Sequence, residues 1–323
     1  MSPDYFRWMY EDLWVWRKTG ISREMVMSWQ RTANFRLVIV NGTAYVEKYS
    51  KAFQSRDSFS LWGILQLLRR YPGKVPDLEL MFDCGDRPVI QSTTTAPPPP
   101  PLFKYCASDE TLDISFPDWS FWGWPEVNIK PWEGLLKDLK QGSEKIKWVD
   151  REVYAYLKGN PSVDATRQNL HAYVRGLVPL KHYWPIKTRD KCRSIKHAVD
   201  WGNTHPQQAQ QFGKAGSKFI EDELKMEFVY DYMFHLLTHY AKLFNYQPTL
   251  PPQAVQLCSE LMLCPAAGLE KQFMMDSMVK TPSRTPPCTM PPPFDPATLH
   301  SLLRTKQNSI NQVHSWENQY WME

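Results

Sequence analysis

The apolar positions of this chain change period several times, and the changes mark its elements. Tyr5, Met9, Leu13 and Trp16 recur at helical spacing, which predicts an amphipathic helix that lies on a core and stops before Gly20. Arg36 to Val40 and Ala44 to Tyr49 flank Asn41-Gly42, a pair whose tolerance of positive φ suits a tight hairpin turn. Leu61, Ile64, Leu65 and Leu68 predict a helix ending near Tyr71-Pro72-Gly73, and Leu78 to Phe82 an apolar strand. A Thr- and Pro-rich stretch follows, with Pro97 to Pro101 in succession; proline donates no backbone hydrogen bond, so this reads as an exposed loop and not a domain linker. Phe103 to Cys106 resumes the sheet, Leu112-Asp113-Ile114 leads into an aromatic stretch from Phe116 to Trp124, and Trp132, Leu135, Leu136 and Leu139 predict a further short helix. The first half therefore reads as α/β.

The second half has a different texture. Val153 to Leu157 predicts a strand, Lys158 to Ser162 a turn and Ala165 to Leu170 the start of a helix, but strands are scarce afterwards. From about Ser194 the pattern is helical, with Val229, Met233, Leu237, Tyr240 and Phe244 forming an apolar stripe that needs a sheet or helices to cover. The segment from Cys258 to Cys288 reads as irregular, and a last helix is expected from Pro296, carrying Leu299, Leu302, Leu303 and Ile310. So few strand candidates make a thin sheet for an α/β domain. With 323 residues, two domains are expected: an N-terminal one over 1–150, a second over 151–295 and a C-terminal helix over 296–323.

Composition adds two facts. Trp and Pro are both abundant, at 14 and 27 residues, and the prolines cluster at connectors while the indoles offer flat faces for packing or for stacking on sugars. Lys plus Arg total 38 against 34 Asp plus Glu, mixed along the chain, so neither a nucleic-acid partner nor an anionic membrane is indicated. The six Cys form no C-x-x-C pair, which weakens zinc-ribbon and thioredoxin readings and leaves disulfides open. Asn41-Gly42-Thr43 matches the N-glycosylation acceptor pattern, relevant only in a secretory lumen. Met1-Ser2-Pro3-Asp4-Tyr5 does not read as a basic segment followed by an apolar run or as a transit peptide, and no run reaches the roughly 20 apolar residues that span a bilayer.

Known chemical signatures are mostly missing. There is no G-x-G-x-x-G, no phosphate loop and no G-x-S-x-G; Gly213 to Lys218 has the wrong spacing for a phosphate loop and sits in a helical pattern. His235 and His239 stand four apart without the glutamate of H-E-x-x-H and read as polar positions beside the stripe. Asp83 and Asp86 follow the Leu78–Phe82 strand, where α/β proteins build sites. Taken locally they are either turn caps or a carboxylate placed to take a proton from a hydroxyl. The aromatics from Phe116 to Trp124 either wedge a loop onto the core or stack on sugar. Lys158, Asn160 and Arg167 are either solvated or within reach of a phosphate.

Taken together, Tyr5-Phe6-Arg7-Trp8, Thr32-Ala33-Asn34-Phe35-Arg36, Phe59-Ser60-Leu61-Trp62-Gly63-Ile64, Pro76 to Asp83, Phe116 to Gly123, Tyr156-Leu157-Lys158-Gly159-Asn160, His182-Tyr183-Trp184-Pro185-Ile186 and Asp200-Trp201-Gly202-Asn203 resemble the Rumi-like protein O-glucosyltransferases, glycosyltransferase family 90 with its capsule-associated (CAP-ten) domain, especially the plant branch. The resemblance implies a GT-B architecture of two Rossmann-like domains and transfer of a glucose- or xylose-class sugar from a UDP-sugar to a hydroxyl of a protein or glycan acceptor, with no metal and no cofactor. It implies Asp86, in Asp86-Arg87-Pro88, as general base, Trp119, Phe121 and Trp122 at the acceptor cleft, and Lys158, Gly159 and Arg167 on the donor side. It also implies a Golgi or ER lumen location, with membrane attachment only through an anchor lying before this chain.

One departure from the family pattern has an address. Between Ala165–Leu170 and Arg175–Leu180 the family carries a long segment with core strands and a donor-binding motif, where this chain has only His171-Ala172-Tyr173-Val174. The second domain is accordingly expected to lack core strands, and the Val229 to Phe244 stripe to lose its cover. The alternatives to a working transferase are an inactive splice or gene-model product and a carbohydrate-binding remnant.

Overall fold

A computed structural model describes residues 2–92, 99–108, 110–152, 176–187 and 190–322. The predicted strand at 153–157, the turn after it, the helix start at 165–170 and the junction at 171–174 lie outside the described residues. The chain is mixed α/β. Its strands are β1 (Phe35–Val40), β2 (Thr43–Lys48), β3 (Leu78–Phe82), β4 (Phe103–Lys104), β5 (Ile114–Ser115) and β6 (Val255–Gln256). Its helices are α1 (Trp8–Asp12), α2 (Arg23–Met27), α3 (Arg56–Arg70), α4 (Trp132–Lys145), α5 (Lys191–Thr204), α6 (Pro206–Glu223), α7 (Met226–Ala241), α8 (Ser259–Leu263), α9 (Gly268–Asp276) and α10 (Pro296–Tyr320).

The chain divides into two compact units that interleave in sequence, residues 1–138 with 226–291, and 139–225 with 292–323. The linear order expected from the sequence, with cuts at 150 and 295, is not the order of these units, because the stretch from Met226 packs with the first strands.

The first unit is built on one six-stranded sheet of order β5-β4-β3-β1-β2-β6. Strands β1 and β2 form the predicted hairpin, with Val40 opposite Thr43 and both turn residues left-handed, Asn41 at φ 51° and Gly42 at φ 72°. Strand β3 lies antiparallel to β1 and parallel to β4, which continues parallel to β5. All five residues of β3 are buried, as a central strand covered on both faces requires.

Helix α7 supplies part of that cover. Val229, Met233, Leu237 and Tyr240 are buried; the Tyr240 ring meets Phe103 edge-on at 4.9 Å, and its hydroxyl donates to the Glu79 carbonyl at 3.2 Å. The expectation that this stripe loses its cover is therefore corrected. Its partner is the β3–β4 region of the first unit, so a loss at 171–174 does not uncover it.

The predicted N-terminal helix is also modified. Met9, Leu13 and Trp16 are buried as expected, but the helix breaks into α1 between two 3-10 turns, and the Trp16 indole N–H donates to the Pro99 carbonyl at 2.6 Å. The stretch expected to be irregular carries β6, α8 and α9 in and beside it. Phe273 of α9 is buried, and a Cβ added at Gly123, whose φ is +131°, would come within 2.8 Å of it.

His235 and His239 serve packing. Ring nitrogen Nε2 of His235 lies 2.6 Å from the Cys288 carbonyl, and Nδ1 of His239 lies 2.8 Å from the His235 carbonyl, so each ring donates to a backbone oxygen. Burial, more than any other cause, holds both imidazoles below the ordinary histidine value. A histidine with a lowered folded pKa favours folding above its unfolded value of 6.5 and loses that contribution as pH falls below it. We expect the urea midpoint of the first unit to drop between pH 7.5 and 5.5, with a smaller drop in His235→Gln.

In the second unit, α5 and α10 share an aromatic cluster. Trp184 lies 4.4 Å from Trp201 and 6.0 Å from Trp316, centroid to centroid, and the Ser194 hydroxyl donates to buried Glu317 at 3.0 Å. The expected last helix is α10, with Val313 fully buried. No strand is formed among the described residues of this unit. Gly213 to Lys218 lies within α6, where its amides are spent on helical hydrogen bonds and cannot cradle phosphate.

Candidate functional site

The site lies in the first unit, at the carboxyl end of β3. The chain leaves β3 through Asp83, whose Oδ1 accepts from the Gly85 N–H at 2.7 Å and whose Oδ2 accepts from Lys104 Nζ at 2.7 Å. Lys104 is 1% exposed, so its charge is compensated in place by this carboxylate. The Asn34 side chain takes the Cys84 N–H at 2.7 Å, tying the turn to the start of β1. Asp83 thus fixes the turn and leaves Asp86 as the residue the turn presents.

Asp86 has a half-exposed side chain, and both its oxygens meet one guanidinium: Oδ1 lies 2.7 Å from Arg56 Nη1 and Oδ2 3.3 Å from Nη2. Arg56 is 3% exposed, also donates to the Cys84 carbonyl at 3.0 Å, and its Cζ lies over the Trp119 ring, 4.4 Å from the centroid. Such a fork fixes both the position and the plane of a carboxylate. The same guanidinium lies over the Phe53 ring, 5.2 Å from its centroid, and that ring is 67% exposed. A half-exposed carboxylate and an exposed aromatic therefore flank one buried cation.

Behind them, Trp119 meets Tyr105 at 4.7 Å and Trp124 at 5.1 Å, and the Tyr105 hydroxyl lies 2.5 Å from that of Ser60. The Asp118 carboxylate caps the following turn, accepting from the Ser120 N–H at 2.9 Å, and burial raises its pKa. Burial also pushes the Cys84 thiol up to about 12, which removes it as a thiolate at neutral pH.

The residues picked out by sequence are distributed as follows. Asp86 and Trp119 come together through Arg56. Phe121 is half-buried, 6.0 Å from Trp132. Trp122 is fully buried, its indole N–H donating to the Tyr230 hydroxyl at 3.0 Å. A ring with no accessible face cannot stack on a sugar, so in this structure Trp122 supports the loop from within. A Cβ added at Gly63 of α3 would sit 2.6 Å from the Trp122 ring. Gly63→Ala is accordingly expected to lower stability by about 1–3 kcal/mol, read from the urea midpoint. Lys158, Gly159 and Arg167 lie outside the described residues. Among the described residues no group of three or more His, Cys, Asp or Glu could hold a metal, and the six cysteines are free thiols. Sequence reading missed Arg56 and Phe53; Arg56 stands just after the turn that starts α3, and its partner lies 30 residues away.

The comparisons with known proteins bear on this arrangement. The profile of glycosyl transferase family 90 matches residues 1–173 and 170–317. The chain belongs to that family. The two matched pieces meet at 170–173, the junction where the sequence departs from the family pattern. Among similar proteins, an O-glucosyltransferase rumi homolog of Aedes aegypti is 28% identical over 153 residues, covering 46% of this chain and 36% of the relative. Protein O-glucosyltransferase 1 of Bos taurus is 23% identical over 323 positions, which draw on 74% of this chain and 80% of the relative. O-glucosyltransferase rumi of Drosophila melanogaster is 23% identical over 164 residues, 47% of this chain and 37% of the relative. The chain thus spans little more than a third of the two insect relatives' length in these matches. The bovine alignment runs over more positions than the chain contributes, so that relative carries stretches with no counterpart here.

Proposed function

We propose that this chain is a sugar-transferring protein of GT-B type, moving a glucose- or xylose-class sugar from a UDP-sugar to a hydroxyl of a protein or glycan acceptor, with Asp86 as general base. The observation that carries the reading is the presentation of Asp86 at the end of β3, open to solvent on one side and gripped by a buried guanidinium on the other. As the acceptor oxygen bonds to the anomeric carbon of the donor, an Asp86 oxygen takes its proton, and the bond from that carbon to UDP breaks with the diphosphate keeping the electron pair. Arg56 holds the carboxylate in the required plane. Phe53 offers an exposed ring on which the C–H face of an acceptor can lie, and in this reading Trp119 and Phe121 also belong to the acceptor side.

In this reading Lys158, Gly159 and Arg167 hold the donor, and no metal or cofactor takes part. The relatives, each named an O-glucosyltransferase, favour glucose. The ER or Golgi lumen is the location that goes with this activity; among the described residues no helix is long and apolar enough to cross a membrane.

The two-piece family match favours a second reading, in which the first unit binds acceptor and the donor side is too reduced to work, whether as a binding remnant or as an inactive splice or gene-model product. Calorimetry with UDP-glucose separates them. Saturable binding abolished by Arg167→Ala supports the transferase, whereas glycan binding without any UDP-glucose binding supports the remnant.

A further inference from the structure

Outside this site, the tip of the β1–β2 hairpin carries the motif Asn41-Gly42-Thr43. It is the chain's one Asn-x-Ser/Thr triplet with a residue other than proline in the middle, since Asn160-Pro161-Ser162 is blocked by its proline. Asn41 is exposed and left-handed, with φ 51°, so its backbone turns at the apex of the hairpin. The peptide is held from below by the Asp77 carboxylate, which accepts the Asn41 N–H at 2.8 Å. Beside the turn lies a second glycine: a Cβ added at Gly42 would meet only backbone atoms of Gly73, at 3.6 Å and beyond.

The register fixes where this tip lies relative to Asp86. Phe35 pairs with Phe82 and Ile39 with Leu78, so the turn at 83–86 leaves the sheet at the Phe35 end of β1 and Asn41 stands at the opposite end. The length of β1 separates them by roughly 20 Å at strand rise. A bulky group on Asn41 would project away from Asp86, Arg56 and Phe53 and leave them open.

We propose that Asn41 is an N-glycan acceptor, modified by transfer of an oligosaccharide from a lipid diphosphate donor. In that step a bond forms between Asn41 Nδ2 and the anomeric carbon, the bond from that carbon to the lipid diphosphate breaks with the diphosphate taking the electron pair, and the proton lost by the amide nitrogen passes to water. The modification requires the lumen, which belongs to the function proposed above, so the test supplies the lumen separately.

The full chain, placed behind a cleavable secretory leader and produced in eukaryotic cells, is expected to migrate as a single-step heavier species that peptide N-glycosidase returns to the unmodified mobility. Digestion in heavy-oxygen water should leave labelled aspartate at position 41. Thr43→Ala and Asn41→Gln should both abolish the shift and Thr43→Ser should keep it; the threonine variants leave the strained turn position untouched, so misfolding at Asn41 does not confound the result. A lumenal chain with no enzyme-sensitive shift, or a shift that survives Thr43→Ala, overturns the proposal. Neither readout depends on whether the chain transfers sugar.

Discussion

Replacing Asp86 with asparagine is expected to lower sugar transfer by about 10²–10⁴-fold, the usual contribution of a positioned general base, while UDP-sugar affinity stays close to that of the parent chain and the unfolding midpoint falls, because the buried Arg56 cation loses the charge that compensates it. The amide keeps the shape of the carboxylate and still offers one oxygen to Arg56 Nη1, but its NH2 replaces the acceptor that meets Nη2, so a loss of stability accompanies the loss of the base and is measured alongside it. What it loses is the capacity to accept the acceptor's proton. UDP release in a single turnover, with donor binding measured in parallel, checks this. A loss of donor binding equal to the loss of turnover would mean that the residue is structural, and undiminished turnover would remove Asp86 from the chemistry. Arg56→Lys is the companion variant: it keeps a cation but not the fork that meets both oxygens, so it should reduce kcat more than it raises KM.

Trp122→Ala should produce the largest change in stability, about 3–5 kcal/mol as measured by urea unfolding. The ring has no exposed surface, fills the space above Gly63 and hydrogen-bonds to Tyr230, so truncation leaves both a cavity and an unpaired buried hydroxyl. Because Gly63→Ala strains the same contact, its cost should shrink in the Trp122→Ala background, a coupling expected of side chains that share one space. Glycan affinity provides the contrast. If acceptors stack on Phe53, then Phe53→Ala weakens binding with little effect on the midpoint, whereas Trp122→Ala keeps its affinity under conditions where it remains folded. Affinity lost in folded Trp122→Ala would instead place acceptor contact deeper in the aromatic loop.

Much of the first unit was legible because its signals are local. Asn41-Gly42 fixes a hairpin through its own backbone preferences, and the apolar residues of β3 and α3 announce their type without reference to a partner. The stripe of α7 was equally plain as a pattern, yet periodicity says only that one face must be covered. That the cover is β3 and β4, strands far earlier in the chain, is a tertiary fact with no local trace. The same limit explains Arg56, whose importance rests on Asp86 and Trp119 meeting around it. The aromatic loop illustrates a third case: stacking on sugar and packing on a core call for the same flat apolar rings, so composition could not show that Trp122 is enclosed while Phe53, a lone aromatic outside the cluster, is the open one.

The interleaved construction of the first unit carries a consequence for biosynthesis. The ribosome delivers β1 through β5 well before α7 and α9, so a nascent chain holds an apolar β3 with part of its cover still unmade. Completion of the Asp86 unit must wait until residue 291 has emerged, and everything from 139 to 225 is translated in the interval. A length change in that inserted stretch, such as the short junction at 171–174, alters the delay before the sheet is closed rather than the sheet itself. Chains released early, near residue 150, would expose that strand to one another.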